Sequence, residues 1–91
     1  MPINNIYILK AVIIKMEERI TVDPKIMVGK PVIKGTRIPV YLILNLMAHG
    51  QSIKEIIEDY PELTKEDVIA AINYAALKVK YEETKRLETS G

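Results

Sequence analysis

The sequence predicts a mainly α protein: a three-helix, helix-turn-helix-like bundle preceded by a short β-hairpin and an N-terminal apolar helix or strand. Three observations predict it. Two helix-start signatures, Ser52-Ile53-Lys54-Glu55 and Thr64-Lys65-Glu66-Asp67, stand close together. Ahead of them Val40 to Ala48 is apolar except for Asn45. Ahead of that, Gly29, Pro31, Gly35 and Pro39 outline a tight basic turn that feeds the helix.

The first segment, residues 1–18, carries Ile6, Leu9, Ile13 and Met16, continued by Ile20, at alternating spacings of three and four. That is one helical stripe from about Asn5 to Glu18, with Asn4 or Asn5 as N-cap. Many of the apolar residues are β-branched, so a strand is the competing reading. Either way the segment is too apolar to hang free, and it reads as a packing or dimer arm. Residues 19–88 then form the hairpin plus helical domain.

Arg19 to Asp23 reads as a short strand closed by Asp23-Pro24. Ile26 to Val28 is a short apolar connection. Pro31 to Ile33 supplies a second strand that should pair with Ile20 to Val22. Pro39 suits a helix start, where its missing N–H costs nothing, and Thr36 is a candidate cap for that helix. The helix runs to about His49, with Gly50 after its end. Being apolar all round, it should be buried on all sides, in the bundle centre or at a subunit interface.

Ser52 caps a short helix to about Asp59, and Tyr60-Pro61 stops it. Leu63 staples the next entry. The last helix places Val68, Ile72, Ala75 and Val79 on one stripe, with Ile69 and Ala76 beside it, and its pattern persists to about Leu87. Glu88 to Gly91 should fray.

The 91 residues make one domain. A monomer of that size buries roughly 60–65% of its unfolded-chain surface, so its stability margin is thin. With no Cys there is neither disulfide nor thiolate metal ligand. The apolar N-terminal run is broken by Asn4, Asn5, Lys10 and Lys15, so neither a membrane helix nor a signal peptide is expected. A cytoplasmic protein is the expectation.

Catalytic patterns are poorly represented. The single histidine, His49, sits at a helix end, where capping explains it. Ser52 is a cap. The acids from Glu55 to Asp67 read as a solvated face rather than a metal site, and Gly29 to Gly35 lacks the ending of a phosphate cradle. No enzyme activity, cofactor or metal is expected.

Charge is uneven although the net is +1. Pro24 to Lys54 holds Lys25, Lys30, Lys34, Arg37 and Lys54 and no acid; Glu55 to Ala71 holds six acids and Lys65. Lys30, Lys34, Arg37, Lys54 and Lys65 are the candidate DNA-binding residues, through phosphates, with Arg37 also able to read guanine. Arg37 has a second reading, in which it pairs with a carboxylate or backbone carbonyls to lock the turn. Glu66 and Asp67 would repel phosphate from the start of the last helix.

The run Arg19-Ile20-Thr21-Val22-Asp23-Pro24 through Gly29-Lys30-Pro31-Val32-Ile33-Lys34-Gly35-Thr36-Arg37-Ile38-Pro39-Val40 resembles small prokaryotic proteins of the domain of unknown function 433 family. The resemblance continues through Gly50 to Ile57, Tyr60 to Asp67 and Ala70 to Ala75, and covers about residues 19 to 77. It implies a helix-turn-helix-like fold and an antitoxin, paired with a PIN-like nuclease toxin. It also implies a homodimer that binds operator DNA and regulates transcription. The alternative is a structural or protein-interaction module that never touches nucleic acid.

Overall fold

The computed structural model describes the backbone of residues 2–89 and the side chains of residues 7–16 and 18–83. It is mainly helical, with one short antiparallel pair of strands.

Helix α1 spans Pro2–Arg19. Pro2 suits a first helical position, where its absent N–H has no partner to lose. The helix thus starts ahead of Asn4 and Asn5, which lie inside it and do not cap it. Packing against the last helix overrides the β-branched residues' preference for strand.

Strand β1, Ile20–Thr21, pairs with β2, Val32–Ile33; Ile20 faces Ile33 and Thr21 faces Val32. This is the pairing read from the sequence. The other edge of β2 meets the returning chain. Ile33 N–H donates to Ile38 O at 2.9 Å, and Val40 N–H to Pro31 O at 2.9 Å. The turn between closes with Thr36 N–H on Ile33 O at 3.0 Å. Gly35, third in that turn, sits at φ 82°, a conformation open to glycine and strained for other residues. Thr36 Oγ1 donates to Ile33 O at 2.8 Å and accepts from Ile38 N–H at 3.0 Å. Thr36 therefore locks the turn and does not cap the following helix. That helix has Pro39 as its N-cap residue, with no side-chain cap bond.

Helix α2, Val40–Ala48, buries Val40 and Ile43 completely or nearly so. Leu42, Leu44, Leu46 and Met47 are half-buried, and Tyr41 is exposed. One chain is too small to cover every face of so apolar a helix, so the expectation of burial on all sides does not hold within a single copy. His49 Nδ1 lies 2.7 Å from Asn45 O and closes the helix end, as the sequence suggested. Gly50 follows at φ 96°.

Helix α3, Ile53–Asp59, starts on a complete capping box. Glu55 N–H donates to Ser52 Oγ at 3.2 Å, and Ser52 N–H to Glu55 Oε1 at 2.9 Å. The backbone bond from Ser52, then the side-chain bond with it, hold the Glu55 carboxyl below its ordinary pKa. A carboxyl depressed by folding stabilises the fold above its unfolded pKa and loses that contribution as pH falls through the folded one. The α3 start should thus loosen under acid, below the ordinary glutamate range. Glu55→Gln keeps a capping side chain and removes the titration. Its helical circular dichroism should lose less on acidification than that of the parent chain; an equal loss would place the acid sensitivity elsewhere.

Helix α4, Lys65–Thr89, runs two residues past Leu87; Glu88 and Thr89 are helical, and Ser90 and Gly91 lie outside the described residues. Its inward face is Asp67, Val68, Ala70 and Ala71, with Ile72 and Ala75 half-buried. Ile69 and Val79, which the periodicity put on or beside the buried stripe, are exposed. The core gathers Ile33, Ile43, Ile56, Leu63 and Val68 from the strand, three helices and a turn.

Among the described residues, one long-range side-chain hydrogen bond ties the end of α1 to the start of α4. Arg19 Nη1 meets Asp67 Oδ1 at 3.0 Å, and Asp67 Oδ2 accepts from Thr64 N–H at 2.9 Å. Thr64 Oγ1 accepts in return from Asp67 N–H at 3.1 Å. Asp67 is thus cap and ion-pair partner together.

Candidate functional site

The basic stretch folds into two neighbouring loops. The turn after β2 presents Lys34 and Arg37, both exposed. The loop between the strands presents Lys25 and Lys30. The loops adjoin, because Ile26 shares a surface cleft with Gly35, Thr36 and Arg37. The Lys30 ammonium stands 5.2 Å from the centre of the Tyr41 ring, a cation–π distance, so the first turn of α2 steadies it.

Among the described residues, Lys30, Lys34 and Arg37 enter no ion pair with a carboxylate. Arg37 makes no side-chain hydrogen bond there either, so the turn is locked by Thr36 rather than by Arg37. Glu62 lines the same cleft as Arg37, which makes that cleft less purely basic than the sequence run suggests.

Lys54 and Lys65 form a separate pair. They line another cleft with Ile53, Ile57 and Glu58, at the starts of α3 and α4. The five candidate cations therefore fall into two groups. The objection raised by Asp67 is weakened: its charge is nearly buried against Arg19 and the Thr64 cap, while Glu66 stays exposed.

Two features escaped sequence reasoning. The first is the loop tip. Met27 and Val28 sit at φ 50° and 56°, followed by Gly29 at 77°. Left-handed backbone costs a non-glycine residue on the order of 1–2 kcal/mol, and a β-branched residue avoids it most. Residue types alone argue against this conformation, so they carried no signal for it. The second is a groove of about 330 Å³ between α1 and α4, walled by Ile8, Val12 and Ile69, with Lys15, Arg19 and Glu66 among its polar residues. Tyr7, Leu9 and Ile14 add exposed apolar surface on α1.

Among the described residues no group of three or more His, Cys, Asp or Glu is placed to hold a metal ion, and no helix is long and apolar enough to cross a membrane.

A family model described as protein of unknown function (DUF433) matches residues 20–75. Over 58 residues the chain is 40% identical to "Uncharacterized protein y4eO" of Sinorhizobium fredii, covering 64% of this chain and 26% of that protein. Over 23 residues it is 83% identical to an "Uncharacterized protein" of Archaeoglobus fulgidus, covering 25% of this chain and 64% of that one. The chain thus matches about a quarter of the first relative's length and under two thirds of the second's. Among solved structures, a DUF433 member protein from Anabaena variabilis aligns with a TM-score of 0.66 at 26% identity, covering 93% of this chain and 84% of that one.

Proposed function

The chain belongs to the DUF433 family, and from that premise we propose that it is a dimeric, helix-turn-helix-like regulator of the antitoxin kind that binds duplex DNA through its basic loops. The observation that carries the reading is the pair of adjoining loops whose exposed Lys30, Lys34 and Arg37 are unclaimed by carboxylates among the described residues. Cations without carboxylate partners remain available to phosphates, at no cost of breaking an ion pair. In this reading α2, α3 and α4 are the three helices of the motif, with α3 and α4 separated by the short capped turn at Tyr60–Thr64. Lys54 and Lys65 are a second phosphate contact beside it. The acidic α3 and the amphipathic α4 are the toxin contacts.

The test is a titration of duplex DNA from the chain's own upstream region at several salt concentrations. Each phosphate contact contributes about −0.9 to the log–log salt slope, so the three loop cations contribute about −2.7 per protomer, twice that in the dimer. The double variant Lys34→Ala, Arg37→Ala should reduce the magnitude of the slope by about 1.8 per protomer and weaken binding most at low salt. No binding at low salt overturns the DNA reading.

The apolar groove between α1 and α4 favours a second reading, a protein-docking module without nucleic acid. Copurification with a small nuclease, together with no DNA binding, would select it. A chain that stays monomeric at micromolar concentration would remove the dimer from both readings.

A further inference from the structure

We infer that the left-handed Met27–Val28 tip is an apolar wedge for duplex DNA, inserted at a base step in the minor groove while Lys25 and Lys30 sit on flanking phosphates. This deepens the DNA reading above and rests on it.

Val28 is 92% exposed, the highest value among the large apolar side chains described. Its own fold does not use it. Yet the backbone is held in an unfavourable conformation that pushes it outward, with φ 56° and ψ 40°. Strain kept without an internal contact in return is a mark of function.

The tip is braced from both sides. Asp23 Oδ1 accepts from Lys25 N–H at 2.9 Å, and Asp23 O accepts from Ile26 N–H at 2.9 Å. Gly29 N–H donates to Ile26 O at 3.1 Å, and Lys30 N–H to Met27 O at 3.2 Å. Four hydrogen bonds across eight residues, Asp23 to Lys30, make a preorganised projection.

Charge selects the occupant. Lys25 and Lys30 flank the tip; the acids nearby are Asp23, whose carboxylate braces the loop by accepting from Lys25 N–H, and Glu62, on the cleft that holds Ile26 and Arg37. Lys30 is steadied on Tyr41, and the Arg37 turn adjoins through Ile26. An apolar point between cations matches a groove whose rims are phosphate and whose floor is a stack that can be pried open. A protein pocket would accept the apolar point but gives no reason for the surrounding cations.

The experiment uses the full chain and a doubly labelled duplex from its upstream region, reading affinity and end-to-end energy transfer together. Val28→Gly relieves the strain and removes the wedge. Val28→Asn tolerates the left-handed backbone and replaces the apolar tip by a polar one. The parent chain should bind and bend the duplex. Both variants should keep or raise Tm, bind about tenfold more weakly and bend the DNA less, a tenfold loss being what one buried aliphatic side chain supports. Equal affinity and equal bending in the variants overturn the wedge and leave the DNA reading standing. A parent chain that binds no duplex at low salt overturns both.

Discussion

Ile43→Ala is expected to destabilise the fold by about 3–4 kcal/mol. Ile43 is 0% exposed and lies mid-way along α2, in one cluster with Ile33, Ile56 and Val68. Truncation removes buried methyl and methylene groups and leaves a void that the hairpin and three helices cannot all collapse into at once. A domain this small has roughly 5–10 kcal/mol of stability in total, so the loss is a large share of it. Urea unfolding should show a lower midpoint with an unchanged slope. Val79→Ala, at a side chain 66% exposed, should cost under about 0.5 kcal/mol. Equal losses at the two positions would refute the packing assigned to α2 and α4.

Asp67→Ala should cost about 2–3 kcal/mol, because three roles are lost together. The side chain accepts from Thr64 N–H, pairs with Arg19, and stands at the positive end of α4. Its partner is a third exposed, and solvent screens the pair accordingly, so Arg19→Ala should cost only about 1 kcal/mol. Asp67→Asn separates the parts. It keeps an oxygen for the Thr64 cap and drops the charge, so about 1 kcal/mol is expected. A double-mutant cycle on Arg19 and Asp67 should return a coupling of about 1 kcal/mol. A coupling of zero would mean that the cap alone explains Asp67.

Much of the local architecture was legible. Ser52 with Glu55 and Thr64 with Asp67 are reciprocal caps as read, since a capping box involves residues only three apart. The strand pairing of Ile20–Thr21 with Val32–Ile33 was legible because Asp23-Pro24 closes the first segment and Pro31 and Gly35 bound the second. Thr36 was misread because the helix starts only at Val40, with Pro39 as its N-cap residue, so the Thr36 hydroxyl bonds within the turn, to Ile33 O and Ile38 N–H. Asn4 and Asn5 were misread because Pro2 already begins the helix. Arg37 was open between pairing and display, and composition could not decide it. The left-handed Met27 and Val28 were invisible, since nothing in their residue types favours that backbone.

The sequence by itself determined the bounds of α3 and the start of α4, which residues turn the chain, and which short stretch concentrates positive charge. Those outcomes depend on neighbours within a few positions, where sterics and single hydrogen bonds decide. Tertiary structure alone decided which face of the all-apolar α2 is covered, why Ile69 and Val79 stay outside, and that Arg19 meets Asp67 across 48 positions. It also divided the cations, setting Lys54 and Lys65 apart from the basic loops. Such choices are made by competition among apolar surfaces for one small interior, and no local residue pattern records the result.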